Sequence, residues 1–412
     1  MVYDATEGLS EILAKEKVTA YIGFDPTASS LHVGSLLTVM GLARLQRFGH
    51  TPIAIVGGGT GMIGDPSGKS QERVLLSADQ IEQNVAGVRT QLERFLDFSA
   101  GRNGAKIVNN VDWLGTIDLV SFLRDAGKHF TVNYMLQKES VSRRLESEEG
   151  ISFTEFSYLV LQAYDFLQLF DRYGCTLQMG GSDQWGNITA GIDLIRKLRS
   201  TKAHGLVWPL MKTASGTKFG KTEQGTVWLD AERTPPFAFY QFWLNTPDSE
   251  VITYLKCFTF LDRPTIDSLE HGAKTAPEKR EAQRVLAREV TALVHGAHEA
   301  DRAAEGSQRL FSTWSTDQPA EELLEALADV PSTSVSASAL TEERPLTHWL
   351  TETGLVTSKS EATRLIKSGG IYVNNVAVVD EKSRIGHKDL WQRKLIVLGK
   401  GKRQKHVLKL AD

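Results

Sequence analysis

Two short segments, far apart in the chain, carry side chains suited to phosphate chemistry. The first runs from Pro26 to Ser35 and contains Thr27, His32 and Gly34, and the second is Lys218-Phe219-Gly220-Lys221-Thr222. When a carboxylate attacks a nucleoside triphosphate, negative charge accumulates on the phosphates, and fixed donors and cations stabilise it. Either segment alone is a common loop sequence, but the pair predicts a nucleotide-activating site.

The first segment lies between two predicted strands. Val18–Phe24 is rich in β-branched and aromatic residues, and Pro52–Val56 is a second apolar run. Between them, apolar residues from Leu36 to Leu45 recur at helical spacing up to Gly49, a natural helix stop. This order predicts a parallel βαβ unit with ligands at the carboxyl ends of its strands. His32 would then face phosphate beside the free amides of the helix N-terminus.

A second set of candidate residues lies on another predicted helix. Ser152 opens this helix in a capping box, and the helix runs to Gly174. Tyr158, Gln162 and Asp165 fall on one stripe of it. Polar residues among apolar neighbours indicate either a ligand or a buried hydrogen-bond network that serves only the fold.

Further elements follow from the same patterns. A strand at Leu177–Met179 leads into Gly180–Gln184, and helix is predicted at 78–98, 117–145, 188–198 and through most of 236–306. The acidic stretch 316–330 predicts a short helix, and the Ser-rich stretch 331–338 predicts a flexible tether.

Composition indicates a soluble protein of several domains. The chain has 412 residues, of which 41% are hydrophobic and 24% charged. No apolar run reaches membrane-spanning length and the start does not resemble a secretion signal, so we expect a cytoplasmic protein without a membrane partner. Cys175 and Cys257 have neither the number nor the spacing of a metal site or disulfide framework, and we expect both in the core.

Charge is distributed unevenly along the chain. Residues 343–412 contain fourteen Lys and Arg against seven Asp and Glu, a net charge of +7, so with a total of −3 the remainder carries −10. A basic module on an acidic body indicates a polyanionic partner, although a solvated surface explains the charge equally well.

The motifs together resemble the bacterial tyrosyl-tRNA synthetases, class I aminoacyl-tRNA synthetases, over almost the whole chain. The matching segments are Tyr21–Thr27, Gly61–Lys69, Phe156–Asp165, Gly180–Asn187 and Lys218–Thr222. Ser35 departs from the family, whose first motif commonly ends in His, and offers a hydroxyl to the nucleotide instead of an imidazole.

The resemblance implies an α/β protein in which a Rossmann-type parallel-sheet catalytic domain is joined to a helical domain and a small α+β RNA-binding domain. The expected boundaries are 1–208 for the catalytic domain with a helical insertion at about 78–150, 209–235 for the catalytic loop and connection, 236–312 for the helical domain, 313–342 for a linker and 343–412 for the RNA-binding domain.

Roles at the nucleotide are also implied by the resemblance. Six residues are expected to bind or stabilise the reacting phosphates: Thr27, His32, Lys69, Arg73, Lys218 and Lys221. Further nucleotide contacts are expected from Asp25, Gly34, Ser35, Gly180, Gly181, Asp183, Lys221 and Thr222. ATP with Mg²⁺ is the implied substrate, with no protein-bound metal and no organic cofactor.

For the amino acid, the resemblance implies a site for L-tyrosine. Tyr158 and Gln162 are expected at the ammonium group, with Asp65 and Gln184 nearby. Tyr21 and Asp165 are expected at the phenol oxygen. Phenylalanine would leave these two groups without a partner, which disfavours it.

The implied partners are tRNA(Tyr) and a second copy of the chain. The C-terminal helix with Lys359, Arg364 and Lys367 is similar to an RNA-binding module first named for a small-subunit ribosomal protein, although a plain αβ appendage is the alternative. By the same resemblance, Arg196 and Lys197 contact the acceptor stem.

Two rival interpretations stay open. The tryptophan-specific sibling family shares the first and last motifs, but the pair Tyr21 and Asp165 favours tyrosine. An RNA-binding protein without catalysis is disfavoured by the intact Thr27, His32 and Lys221.

Overall fold

The computed structural model describes residues 2–67, 76–99, 101–146, 150–211, 219–222, 225–311, 330–401 and 404–411. They fall into two compact units, Met1–Asp230 and Ala231–Asp412. Among these residues, no helix combines the length and the apolar character needed to cross a membrane.

The first unit is built on a parallel sheet. In its described residues six strands pair in the order β1-β6-β5-β2-β3-β4, and only β1 runs antiparallel to its neighbour. The strands are β1 Asp4–Ala5, β2 Thr19–Phe24, β3 Thr51–Val56, β4 Lys106–Asn109, β5 Leu177–Gly181 and β6 His204–Trp208. A short hairpin, β7 Lys221–Thr222 with β8 Gly225–Thr226, lies later in the chain.

Helices connect these strands. They are α1 Leu9–Lys15, α2 Val33–Arg47, α3 Ala78–Leu92, α4 Val111–Leu114, α5 Leu119–Asp125, α6 Val132–Leu136, α7 Glu139–Leu145, α8 Phe153–Tyr173 and α9 Trp185–Arg199. The predicted βαβ unit is confirmed, because β2 and β3 pair in parallel on either side of α2. Gly49, with φ +88°, follows α2 as expected.

The segment between α3 and α8 differs from the prediction. Instead of one helical stretch at 117–145, the chain forms three short helices, and the strand β4 was not predicted at all. β4 is only four residues long and partly exposed, so it gives a weak strand pattern. Met135, in α6, is buried in the core of the unit.

The long helix α8 begins and ends as predicted. The Ser152 side chain accepts a hydrogen bond from the Glu155 amide, and Gly174 ends the helix in the left-handed conformation. The Glu155 carboxylate pairs with Arg144 at 3.0 Å, and both side chains are almost fully buried. Removing one partner would leave a buried charge, so this pair fixes how α7 meets α8.

The second unit begins with helices and ends with a sheet. The helices are α10 Pro236–Leu244, α11 Asp248–Phe258, α12 Arg263–Thr275, α13 Glu281–His295 and α14 Ala297–Phe311. They agree with the helical prediction for 236–306, and Trp243 and Phe258 are fully buried among them. Cys257 here and Cys175 in the first unit are both buried, as expected.

In the described C-terminal residues, five strands pair in the order β12-β11-β14-β15-β9. The elements are β9 Ser332–Val335, α15 Ala337–Thr341, β10 Arg344–Pro345, α16 Leu346–Glu352, α17 Lys359–Lys367, β11 Ile371–Val373, β12 Val376–Val378, β13 Arg384–Ile385, β14 Leu395–Lys400 and β15 Gln404–Leu410. The predicted helix, glycine stop and strand correspond to α17, Gly369 at φ +69° and β11.

The prediction of a flexible tether at 331–338 is wrong. Ser332–Val335 forms β9, which pairs in parallel with β15. The Thr333 hydroxyl lies 2.9 Å from His406 Nε2, and Val335 belongs to the buried core. Serine-rich composition is typical of linkers, but this segment finds its partner strand some seventy residues later in the chain. The predicted acidic helix falls largely on 312–329, outside the described residues.

Candidate functional site

A cavity of about 620 Å³ opens at the carboxyl ends of β2 and β5. This is where a parallel sheet is expected to bind ligands. Phe219 and Gly220 of the second motif line it. It is also lined by fourteen of the site residues predicted from the sequence: Tyr21, Asp25, Thr27, His32, Gly34, Ser35, Asp65, Tyr158, Gln162, Asp165, Gly180, Gly181, Asp183 and Gln184.

Tyr21 and Asp165 lie at the buried end of the cavity. Tyr21 is 1% exposed and its ring packs 5.2 Å from that of Phe166. Its hydroxyl has no hydrogen-bond partner among the described residues. Burial, reinforced by the nearby Asp165, raises the pKa of Tyr21, so the hydroxyl stays protonated.

Asp165 is held by two donors. Trp113 Nε1 donates to Oδ1 at 2.7 Å, and Asn110 Nδ2 donates to Oδ2 at 2.8 Å. Burial raises the pKa of Asp165 to about 7, although both of these hydrogen bonds favour its charged form. The site therefore presents a fixed carboxyl group beside the unpaired hydroxyl of Tyr21. This arrangement suits a phenol, which both donates and accepts.

Asn110 connects this end to the rest of the cavity. Besides Asp165, its Nδ2 contacts Thr60 Oγ1 at 2.9 Å, and its Oδ1 accepts from the Gly59 amide at 2.8 Å. Thr60 Oγ1 in turn donates to Asp25 Oδ1 at 2.9 Å. Sequence reasoning missed Asn110 and Trp113, because both follow the unrecognised strand β4. The end of a strand in a parallel sheet is the signal that could have found them.

The middle of the cavity is a network of polar side chains. Tyr158 donates to Asp25 Oδ2 at 2.9 Å. Gln184 Nε2 donates to Asp65 Oδ2 at 2.8 Å, and Gln162 Nε2 lies 3.2 Å from Gln184 Oε1. Carboxylates and amide oxygens gathered here can receive an ammonium group. Burial raises the pKa of the Tyr158 hydroxyl, and the nearby Asp25 carboxylate raises it further. The hydroxyl therefore stays protonated and acts as a donor.

His32 lies at the N-terminus of α2, as the sequence predicts. The segment after the β7–β8 hairpin is fixed beside it, because the Val33 amide donates to Val227 O and the Leu229 amide to Leu31 O. A Cβ atom at Gly34 would lie 2.7 Å from His32 Cε1, so only glycine leaves room for the imidazole here.

The remaining nucleotide candidates have simpler surroundings. Thr27 is exposed, and Ser35 lies in the first turn of α2. Gly180 and Gly181 end β5, and a Cβ at Gly181 would lie 2.5 Å from Asp183 Oδ1. Backbone can therefore approach a ligand at this point, next to the Asp183 carboxylate.

Several predicted phosphate ligands cannot be placed. Lys69, Arg73 and Lys218 lie outside the described residues. The backbone of Lys221 and Thr222 forms β7, but their side chains lie outside the part of the chain that the structure describes.

The predicted RNA contacts lie on helix ends and surfaces. Arg196 and Lys197, in the last turn of α9, both pair with Asp193, at 2.5 Å and 2.7 Å. In the second unit, Lys359, Arg364 and Lys367 are exposed on α17. Lys367 also pairs with Glu381 at 2.9 Å.

Comparison with known proteins gives consistent matches over both units. The family of class I tRNA synthetases (W and Y) matches residues 13–312, and the tyrosine--tRNA ligase SYY-like C-terminal domain matches residues 322–408. A tyrosine--tRNA ligase of Roseiflexus castenholzii is 53% identical, covering 100% of this chain and 97% of its own length. One of Geobacillus kaustophilus is 50% identical, covering 98% and 96%.

A solved structure agrees with these relatives. The C-terminally truncated mitochondrial tyrosyl-tRNA synthetase of Aspergillus nidulans is 32% identical, with a TM-score of 0.67. The match covers 74% of this chain and 89% of that one.

Proposed function

The chain belongs to the class I tRNA synthetases for tyrosine and tryptophan, and from this membership we propose that it is a tyrosine--tRNA ligase. In the first step the carboxylate of L-tyrosine attacks the α-phosphate of ATP, which gives tyrosyl-adenylate and releases pyrophosphate. In the second step a ribose hydroxyl at the 3′ end of tRNA(Tyr) takes the tyrosyl group and releases AMP.

One observation carries the choice of tyrosine. The buried end of the cavity holds the Tyr21 hydroxyl, which lacks a partner within the described part of the chain, beside the Asp165 carboxyl group. A substrate phenol donates to Asp165 and accepts from Tyr21. Phenylalanine leaves both unsatisfied, and the indole of tryptophan can donate but not accept there.

The ammonium group of the substrate binds between Tyr158, Gln162 and Asp65. Support comes from the acceptors already gathered there, since Gln184 bridges Asp65 and Gln162. The ammonium group replaces some of these bonds and places the substrate carboxylate toward Gly180 and Gly181.

ATP, with Mg²⁺ bound to its phosphates, lies at the other end of the cavity. Thr27 and His32 bind the γ-phosphate in the transition state, where His32 acts as a donor at the start of α2. Lys218 and Lys221 bind the departing pyrophosphate, assisted by Lys69 and Arg73. Further nucleotide contacts come from Asp25, Gly34, Ser35, Gly180, Gly181, Asp183 and Thr222.

The tRNA binds through phosphate contacts of both units. Support comes from the exposed Lys359, Arg364 and Lys367 on α17 and from the net charge of +7 over residues 343–412. Arg196 and Lys197 contact the acceptor stem. We expect that removal of residues 330–412 leaves adenylate formation intact and abolishes tRNA charging. Equal charging by the truncated and full chains would contradict this role.

The enzyme acts as a homodimer in the cytoplasm, where ATP and tRNA are available. Support for a dimer comes from large apolar side chains exposed on the segment 119–153, since exposed apolar surface marks interaction sites. They are Leu119, Val120, Leu123, Val132, Leu136, Leu145 and Phe153.

The function is tested by exchange of labelled pyrophosphate with ATP. We expect exchange that depends on tyrosine and is negligible with tryptophan or phenylalanine. Exchange driven by tryptophan would assign the chain to the sibling specificity. No exchange with any amino acid, despite tRNA binding, would favour a protein that has lost catalysis.

A further inference from the structure

A buried amide lines the same cavity and was not singled out in the sequence. Gln178 is the second residue of β5, is 2% exposed and contributes to the cavity wall. Its Oε1 atom has no hydrogen-bond partner within the described ranges. A buried polar atom without a partner destabilises the fold, so its presence calls for an explanation other than fold stability.

Gln178 lies beside Tyr21. The two residues are register partners on the parallel strands β5 and β2. Register partners on neighbouring parallel strands are about 4.8 Å apart and project from the same face of the sheet. Both side chains also line the cavity together with Asp165. Gln178 Oε1 and the Tyr21 hydroxyl are thus two buried polar atoms without a partner among the described residues, at the same end of the site.

The other amides of the cavity differ from Gln178. Asn187 Nδ2 donates to Gln162 Oε1 at 3.0 Å and to Gln184 Oε1 at 3.2 Å. These three amides thus hydrogen bond to one another. Gln178 Oε1 has no such partner in the described part of the chain, so its lack of a partner is not a general property of amides in this site.

We propose that Gln178 is a specificity-determining residue whose amide hydrogen bonds the phenol group of bound tyrosine, next to Tyr21 and Asp165. This inference rests on the proposed function. The phenol oxygen has one proton and two lone pairs, so it can serve up to three neighbours. The phenol proton goes to Asp165 and one lone pair accepts from Tyr21, so the second lone pair is left for Gln178. The amide serves it with its NH₂ group when the side chain is turned by about 180° around its last bond.

The test is Gln178→Met, which keeps the side-chain volume and removes the amide. We expect the empty protein to melt at a higher temperature, because an unpaired buried polar group is removed. We expect the KM for tyrosine to rise about tenfold with kcat little changed, the loss of one hydrogen bond. The preference for tyrosine over phenylalanine in kcat/KM falls by a similar factor, because phenylalanine does not make this bond.

Gln283→Met is the matched control. Gln283 is also 2% exposed, but its amide donates to Asp248 in the helices of the second unit. This variant should lower the melting temperature and leave the tyrosine-to-phenylalanine ratio unchanged. The two substitutions therefore have opposite effects on stability, and only one of them affects selectivity.

Two results would overturn the inference while tyrosine-dependent exchange by the unmodified enzyme keeps the proposed function intact. One is an unchanged tyrosine-to-phenylalanine ratio in Gln178→Met. The other is an equal loss with both substrates, which indicates a role in shape alone. If the methionine variant does not fold, Gln178→Leu is measured by the same criteria.

Discussion

The two ends of the cavity are built differently. The buried end, with Tyr21 and Asp165, is called the phenol end, and the end with Thr27 and His32 the phosphate end. At the phenol end, Asp165 is buried and fixed by Trp113 and Asn110. At the phosphate end, Thr27 is exposed, and His32 stands at the end of a helix beside backbone supplied by a later segment. At the first end, hydrogen bonds fix Asp165 before the substrate arrives, and the Tyr21 hydroxyl beside it has no partner among the described residues. The second end offers donors and the N-terminus of α2 to a highly charged group.

This difference predicts a division of labour. A rigid, buried site discriminates, because a wrong ligand leaves its polar groups unpaired. A more open site rich in donors stabilises charge that develops in the reaction. Changes at the phenol end should therefore act on the KM and on selectivity, and changes at the phosphate end should act on kcat.

The largest expected effect comes from Asp165→Ala. The substitution removes the acceptor for the phenol and leaves the buried Trp113 and Asn110 donors unpaired, a cost of about 3–5 kcal/mol. We expect tyrosine-dependent pyrophosphate exchange to fall on the order of 10³-fold in kcat/KM. Asp193→Ala, an aspartate on α9 outside the cavity lining, is the control. Near-normal exchange by the Asp165 variant would refute its role.

A smaller loss of a different kind is expected from His32→Ala. Removing one donor that stabilises transition-state charge costs about 10²-fold in kcat. The dissociation constant of tyrosine, measured without ATP, should stay unchanged because His32 lies at the other end of the cavity. A weaker affinity for tyrosine in this variant would break the proposed separation of the two ends.

Asn110→Ala tests how far the phenol end depends on residues that do not contact the substrate. Asn110 holds Asp165 and, through Thr60, reaches Asp25. We expect the KM for tyrosine to rise about tenfold and the protein to lose about 2 kcal/mol of stability, since several buried partners are left unpaired. Asn110→Asp keeps the bonds to backbone amides but places a second carboxylate against Asp165, and it should be worse than alanine for tyrosine binding. If both variants lose stability but keep the KM, Asn110 serves only the fold.

The sequence was informative where recognition depends on local pattern. The βαβ unit, the cap of α8 and its polar stripe are set by spacing within a few turns of chain, and the structure places Tyr158, Gln162 and Asp165 in one cavity. The sequence was uninformative where a segment takes its structure from a strand that lies far away in the chain. Asn110 gains its position from the short strand β4, and Ser332–Val335 becomes a strand only through β15. Gln178 resembles any polar residue in a strand until its buried surroundings are known.

The smallest effect concerns pH, and it isolates the charge state of Asp165. In the folded protein without ligand, burial raises the pKa of Asp165 to about 7, against an ordinary value near 3.8. The group therefore contributes stability that is fully present below about pH 4 and is lost as pH rises through 7. The phenol of tyrosine donates to the carboxylate and so favours its charged form. Binding should thus release a proton below pH 7, and the affinity for tyrosine should fall by up to about tenfold between pH 8 and pH 6.

Calorimetry of tyrosine binding without ATP measures this effect, because the phosphate end then does not contribute. Asp165→Asn should bind more weakly at every pH and lose the dependence, since its amide does not titrate. The proton released on binding should appear as a difference in heat between buffers of different ionisation enthalpy. An affinity that stays constant from pH 5.5 to 8 would mean that Asp165 keeps one charge state throughout. The phenol end would then select its ligand by geometry alone, without the electrostatic coupling that its burial predicts.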